Sequence, residues 1–597
     1  MTIFSRDGSN ALLLGLCASC LCVLTACGGG GDAAPPVLLP EPVTAAAVDS
    51  PLPPLAEDKP YANNRQYDMR AEGNASEHGE EAAVTHKRIK VDGKNRTYTA
   101  TVGHLVVRNK SSNAPEAAIF YTAYALDGEQ PGKRPVTFIF NGGPGSSSTF
   151  LHMGSFAPKR VFTLSGKTVT GPADVRFGDN PETLLDRTDL VFMDPVGVGY
   201  SIAIAPLANK SFWGVDADNR SLSAFIGRYV KVNDRGQSPV FLYGESYGGP
   251  RAAMMSYVLQ ANHDIKLSGL VLQAPALNFY ENRVAGFTGE YRRSPRPMFT
   301  LPTIAATARY HGLLKDPVLA EKSMPDVFAA VNDFIFGPLF DVQKKWKVDF
   351  SSNAETETLF TKDAGIFIPE LKKYTGDAKI WGVGSVGVSV DDGAGFNSPL
   401  VFAHVLNGPL NRVMAFNLMP GKTLGLYDTR KVMSGPSPKP SEDYLIYDPS
   451  MNDLRAYGLI LNSYVYHDLK YTAVSDYVGI GTSINPAWNI ETTYPDKTKL
   501  KFPDSTIHLS KAMLLNPAMK VFTMAGYYDA IVTAAHIQWD MMSVFEVVPK
   551  EQMDKNYTHE NYEGGHMIYA DDQARISLRK KLDKFYIDAQ KPPVPSM

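Results

Sequence analysis

Residues 239–258 read PVFLYGESYGGPRAAMMSYV. A short apolar run breaks on Gly244-Glu245-Ser246-Tyr247-Gly248 and continues into a stretch compatible with a helix. A buried strand that turns abruptly into a helix around a serine with glycine on both sides is the setting of a nucleophile elbow. Ser246 then sits in a strained turn where only small neighbours avoid collision with the adjoining strand and helix. Its hydroxyl is pushed out at the C-terminal edge of a sheet.

Working outward, four more apolar runs have the same form: PVTFIFNGG at 135–143, TDLVFMDP at 188–195, LSGLVLQAPA at 267–276 and MKVFTMAG at 519–526. Each is bounded by turn residues, and helix-length stretches separate most of them. Strands buried on both faces and joined by crossovers have this pattern. Upstream, HKRIKVDGKNRTYTATVGHLVVRN at 86–109 and EAAIFYTAYAL at 116–126 alternate and are rich in β-branched residues, with Asp92-Gly93 as a hairpin turn. The expected fold is α/β, a mostly parallel sheet with antiparallel strands at its start and helices on its faces. The strand signal fades between about 285 and 500, which predicts a large inserted cap over the sheet. The expected organisation is a core over 85–285, the cap over 286–500 and the rest of the core over 501–597. A literal GxGxxG at Gly382–Gly387 lacks a strand-turn-helix setting and is not read as a dinucleotide site.

A serine hydroxyl needs a base, and the base needs an acid that fixes its tautomer. On an α/β-hydrolase sheet these follow in the order serine, acid, histidine. The strand at 519–526 runs into YYDAIV, which puts Asp529 at a strand end, and NYEGGHMIY at 561–569 carries His566 on a glycine-flanked loop. His536 and His559 are the competing histidines, one in a helical and one in a polar segment. Asp571 and Asp572 come too late in the order. Acyl transfer also needs backbone donors for an oxyanion. The N–H of Tyr247, next after the serine, is one candidate, and Gly143 in TFIFNGGPGSSSTF (137–150) is the other.

Taken together, NGGPGSSS (141–148), DPVGVGYS (194–201), GESYGG (244–249) and GGHM (564–567) resemble the serine carboxypeptidase family, an α/β-hydrolase branch with a cap domain. The resemblance implies Ser246, Asp529 and His566 as a triad and Gly143 and Tyr247 as the oxyanion hole. It further implies that Asn141 and Glu245 hold a substrate's C-terminal carboxylate, and Met567 also fits the family. The implied reaction is hydrolysis of C-terminal peptide bonds, with an esterase or acyltransferase on the same triad as the alternative and a non-catalytic binding protein as a further one. The chain also departs from the family. The second glutamate that pairs with the one before the nucleophile is Ser155 here, so a proton shared between two carboxylates is not expected. The tryptophan and cysteine flanking the first motif are Ile139 and Ser146, and His152 is read as structural before it is read as a compensating donor.

The remaining signals bound the partners. The chain has 597 residues, 44% of them hydrophobic, and a net charge of −3, so no basic excess is present to neutralise phosphates and nucleic acid is not an expected partner. ALLLGLCASCLCVLTAC at 11–27 has the length of a secretory signal core and is too short for an ordinary transmembrane helix. LTACGGGG resembles a lipoprotein cleavage site with Cys27 as the lipidated residue, giving a signal at 1–26 and a Gly/Pro/Ala-rich linker over 27–84. An ordinary cleaved signal or a single anchor are the alternatives. The expected location is exported, on the bacterial outer membrane or in the periplasm. All four cysteines (Cys17, Cys20, Cys22 and Cys27) lie in this segment, which leaves the remainder without disulfides, a thiol nucleophile or a thiolate metal site. No metal or organic cofactor is implied.

Overall fold

The computed structural model describes residues 54–591, except 92, 164–173, 279–298, 315, 340–417 apart from Lys373, 420, 435–447 and 502. Cys27 and the GxGxxG at 382–387 lie outside the described residues.

Ten strands form one sheet. In chain order they are β1 (Ala82–Val91), β2 (Lys94–Arg108), β3 (Pro115–Leu126), β4 (Val136–Phe140), β5 (Asp189–Met193), β6 (Ile202–Ala203), β7 (Val240–Glu245), β8 (Leu267–Gln273), β9 (Lys520–Gly526) and β10 (Tyr557–Tyr562). Their order across the sheet is β10-β9-β8-β7-β4-β5-β3-β2-β1, with β6 beside β3. The pairs from β5 through β10 are all parallel, whereas β1, β2 and β3 pair antiparallel with each other and β3 with β5. This is the mostly parallel α/β sheet with antiparallel strands at its start that the apolar runs predict, and those runs are buried along their length.

Successive residues of the central strands serve two separate cores. Phe138, Leu242, Leu270 and Val521 face one core, and Ile139, Phe241, Val271 and Phe522 the other, as the period-two alternation of a strand requires. The first core is closed by α1 (Val215–Val232), α2 (Gly248–Asn262), α3 (Ser505–Leu515) and α4 (Ala534–Val547). The second is closed by α5 (Asp572–Ala589), whose Tyr586 packs 4.6 Å from the Phe241 ring and hydrogen-bonds Thr137 at 2.9 Å. With both faces covered, the strands need no polar alternation, so they read as continuous apolar runs.

Two parts of the chain differ from the reading of the sequence. Strand β10, YTHENY, was not anticipated: it lies at the sheet edge, most of its residues are half-exposed, and no apolar run marks it. The end of the span read as linker is folded. Lys59 and Val84 exchange backbone hydrogen bonds of 2.7 and 2.8 Å, and Tyr61–Asn63 pairs in parallel with Tyr471–Ala473. Asn63 donates to the hydroxyls of Tyr67 at 2.7 Å and Tyr471 at 2.8 Å, so its partners lie 4 and 408 positions away. Composition over a short window cannot register a partner at that distance.

Arg251 ties the elbow helix to its surroundings. It is fully buried, pairs with Asp218 of α1 at 2.6 Å and donates to the Asn141 carbonyl at 2.5 Å. Burial pushes the Asp218 carboxyl up, and Arg251 pulls it back. Arg251→Met, which leaves Asp218 buried without its cation, is expected to destabilise the protein by about 3–5 kcal/mol, read as a lowered midpoint in urea unfolding.

Candidate active site

Strand β7 ends at Glu245, Ser246 follows with φ +60°, and α2 begins at Gly248. A non-glycine residue in the left-handed region is strained and is held there by its surroundings. The Ser246 amide donates to the Gln273 carbonyl at 2.9 Å. A Cβ on Gly244 would sit 2.1 Å from the Gly248 carbonyl oxygen, so the turn can close only over glycine. Ser246 is thereby half-exposed between two buried neighbours.

The NGGPG loop, leaving the adjacent strand β4, reaches the same point. A Cβ on Gly142 would lie 2.4 Å from the Tyr247 nitrogen, so the two loops touch backbone to backbone. Gly143 follows, exposed, with φ +102°. The candidate oxyanion donors thus come from neighbouring loops beside Ser246. Behind them the Tyr247 ring lies 5.2 Å from the Arg251 guanidinium and edge-on to Trp488 at 5.5 Å. Trp488 belongs to a segment that also bridges Ile480 to Ser146 and Val478 to Gly199. In the 194–201 motif, Asp194 accepts from the Ser148 amide and hydroxyl, each at 2.8 Å, and from the Tyr477 hydroxyl at 2.8 Å. That motif therefore braces the loop rather than presenting a reactive group.

His566 and Asp529 meet directly. Asp529 is fully buried, and its Oδ1 accepts the amides of Ile531 at 2.8 Å and Val532 at 3.0 Å. This turn fixes the carboxylate so that Oδ2 lies 2.7 Å from His566 Nδ1. The contact places the proton on Nδ1 and leaves Nε2 as an acceptor, buried and without a hydrogen-bond partner among the described residues. The His566 amide donates to the Tyr427 carbonyl at 2.6 Å, and the Tyr427 ring stands edge-on to the imidazole at 5.2 Å. Arg430 secures that strand of chain, pairing with Asp428 and Asp571 at 2.8 Å each and donating to the Glu563 carbonyl at 3.1 Å. Burial lowers the His566 imidazole, but the charge and hydrogen bond of Asp529, together with Glu245, outweigh it and raise the group above its ordinary value.

Glu245 and Asn141 also come together. Asn141 Nδ2 donates to Glu245 Oε1 at 2.8 Å while its Oδ1 accepts the Leu151 amide at 3.0 Å. Gln273 Nε2 donates to Glu245 Oε2 at 2.7 Å and to the His566 carbonyl at 3.1 Å. Burial pushes Glu245 up to about 7; His566 and the hydrogen bonds from Tyr569 and Asn141 hold it lower, and Asp529 raises it. Ser246 and His566 are thus joined through one residue, Gln273, whose carbonyl takes the serine amide and whose side chain takes the histidine carbonyl. Sequence reading did not single out Gln273, Tyr427 or Asp194.

The competing residues lie elsewhere. His536 bonds Thr533 at 3.0 Å, and His559 sits in β10 between Thr523 at 2.9 Å and Asn561 at 3.0 Å. Asp571 caps α5 through the Gln573 and Ala574 amides. Ser155 turns its hydroxyl onto the Leu151 carbonyl at 2.5 Å, at the end of a short helix. His152 stacks on Phe192 at 4.3 Å and meets the Tyr124 hydroxyl at 2.6 Å; burial lowers it to about 3, so it is a neutral packing residue. Among the described residues no cluster of three or more His, Cys, Asp or Glu is arranged to hold a metal ion.

A family profile described as serine carboxypeptidase matches residues 94–291. Over that segment the chain is similar to serine carboxypeptidases. It contains the NGGPG loop, the braced 194–201 motif and the elbow, and it ends before Asp529 and His566. Curated relatives include serine carboxypeptidase-like 36 of Arabidopsis thaliana, 26% identical over 28% of this chain and 33% of that protein. Carboxypeptidase Y of Saccharomyces cerevisiae is 26% identical over 34% of this chain and 37% of its own length. The chain therefore spans about a third of the length of the curated relatives it matches. Among solved structures, a thermostable carboxyl esterase from Bacillus coagulans is 12% identical, with coverage of 81% of this chain and 97% of that chain and a TM-score of 0.30. MenH from S. aureus is 12% identical, with coverage of 79% and 99% and a TM-score of 0.29.

A fluorophosphonate probe is expected to label the protein, at a rate that falls as pH drops through the raised His566 value. Asp529→Asn, which puts the proton on the wrong imidazole nitrogen, should slow labelling by about 10³–10⁴-fold, measured by in-gel fluorescence against time.

Proposed function

We propose that the protein is an exported serine hydrolase that removes C-terminal residues from peptides through an acyl-enzyme. The observation that carries this reading is the buried 2.7 Å contact between Asp529 and His566, with Nε2 left without a hydrogen-bond partner among the described residues and the His566 carbonyl tied through Gln273 to the Ser246 turn. In this reading Ser246 Oγ attacks the scissile carbonyl as its proton passes to Nε2 of His566. The tetrahedral oxyanion is held by the amides of Gly143 and Tyr247. His566 then gives the proton to the leaving amine, and water repeats the sequence to release the acid. Asp529 orients the imidazole through Nδ1 and stabilises the imidazolium.

Asn141 and Glu245 are assigned to the substrate's terminal carboxylate. One observation favours a second reading, an esterase or acyltransferase: Ser155, which stands where the resemblance implies a second glutamate, turns its hydroxyl onto the Leu151 carbonyl at the end of a helix, so carboxylate recognition rests on a single acid. A peptide with a free C-terminus, the same peptide amidated, and an aryl ester separate the two. The exopeptidase reading predicts that below about pH 7, where Glu245 is protonated, the free acid is cleaved faster than the amide by about tenfold or more, the worth of a hydrogen bond to a charged group. Equal rates on the two peptides would favour the esterase reading.

Export rests on the signal-like stretch at 11–27, and the anchor on Cys27 within LTACGGGG. The reading places the protein on the bacterial outer membrane, since Gly28 rather than an aspartate follows Cys27. Cys27→Ser is expected to move the enzyme from the membrane fraction to the soluble one, followed by immunoblot of separated fractions.

A further inference from the structure

Gln273 ends strand β8, is fully buried, and turns its main-chain carbonyl and its side-chain NH₂ toward residues of the candidate site. Its main-chain carbonyl accepts the Ser246 amide at 2.9 Å. Its Nε2 donates to Glu245 at 2.7 Å and to the His566 carbonyl at 3.1 Å, and its Oε1 accepts the Tyr243 hydroxyl at 2.8 Å. The amide cannot be turned round, because the His566 carbonyl can only accept and must face the NH₂ end. The same logic orients Asn141, whose Oδ1 is committed to the donor-only Leu151 amide. Glu245 thus has a non-titrating N–H donor on each oxygen, and both donors favour its ionised form.

Among the described residues, the titratable groups that act most strongly on Glu245, or on which it acts, include His566, Asp529, Tyr569, Tyr243 and Tyr427. None of these is a lysine or arginine, so an ionised Glu245 would meet an incoming carboxylate as a like charge that only a protonated His566 could offset. We propose that Gln273 is a positioning and specificity-determining residue: it holds Glu245 as an acceptor in register with His566. By these contacts Gln273 sets the pH at which the pocket assigned above passes from a free carboxylate, taken when Glu245 carries a proton, to a neutral donor such as a carboxamide or hydroxyl. The substrate half of this claim rests on the assignment of Asn141 and Glu245 to the leaving-group pocket; the positioning half does not.

The test uses the full chain and its Gln273→Glu and Gln273→Leu variants. The quantities measured from pH 5 to 9 are kcat and KM on the free and amidated peptide and on an aryl ester. In the wild type the free-to-amide ratio of kcat/KM should fall about tenfold per pH unit above about 7, following ionisation of Glu245. In Gln273→Glu two carboxyls share a proton, and the fall should move up by about one unit or more. Gln273→Leu removes a donor from Glu245 and from the His566 carbonyl. The fall should again move up, and ester kcat should drop about tenfold or more with a much smaller change in KM. Ratio profiles for both variants that superimpose on the wild type would overturn the proposal. If the wild type cleaves the ester but neither peptide at any pH, the exopeptidase reading fails. The Gln273 claim is then decided on the ester, where an unchanged kcat and pH profile in Gln273→Leu would overturn it. Should the leucine variant not fold, the glutamate variant carries the same decision.

Discussion

The hydrogen bond between Asp529 and His566 is the constraint on which the rest of the arrangement depends. An ionised carboxylate shut away from water is costly unless its oxygens are satisfied. Here the two amides of a tight turn take one oxygen and the imidazole takes the other. That requirement fixes where β9 must end, and it makes the position of the imidazole a matter of backbone geometry. The His566 loop is in turn held on both main-chain sides, by the Tyr427 carbonyl and by the Gln273 side chain. Histidine is thus delivered in one tautomer with its second nitrogen unspent.

The carboxyl groups near the elbow are treated differently by the fold. Asp218 has a buried arginine at 2.6 Å and serves architecture. Asp194 is spent on Ser148 and Tyr477 and shapes the glycine loop. Glu245 has the amides of Asn141 and Gln273 and the nearby Tyr569 hydroxyl in place of a paired arginine, so burial is opposed more weakly and its carboxyl is pushed up to about 7. The loops around it come from at least four separated parts of the chain, including the Tyr427 and Trp488 segments that sequence reading assigned to the cap.

What could be read from sequence was what local composition encodes. Strands covered by helices on both faces have to be apolar throughout, so β4, β5, β7, β8 and β9 announced themselves, and the elbow was marked by glycines that a backbone approach of 2.1 Å demands. The half-exposed edge strand β10 carries no such requirement and went unread. Tyr61 and Asn63 looked like linker because their partners lie near Tyr471. Gln273 was inside a quoted apolar run, yet nothing in LSGLVLQAPA says that its amide meets Glu245 and His566. Contacts of that kind depend on three crossovers closing together, and no window of sequence contains them.

The central claim is that Ser246, His566 and Asp529 act as one unit beside the amides of Gly143 and Tyr247. A crystal structure of the protein after reaction with a small alkyl fluorophosphonate tests it most directly. Phosphorus is expected on Ser246 Oγ, with the phosphoryl oxygen between those two amides and His566 Nε2 within hydrogen-bonding distance of the adduct. Phosphorus on any other residue, or an imidazole that has left Asp529 and faces away from the adduct, would contradict it.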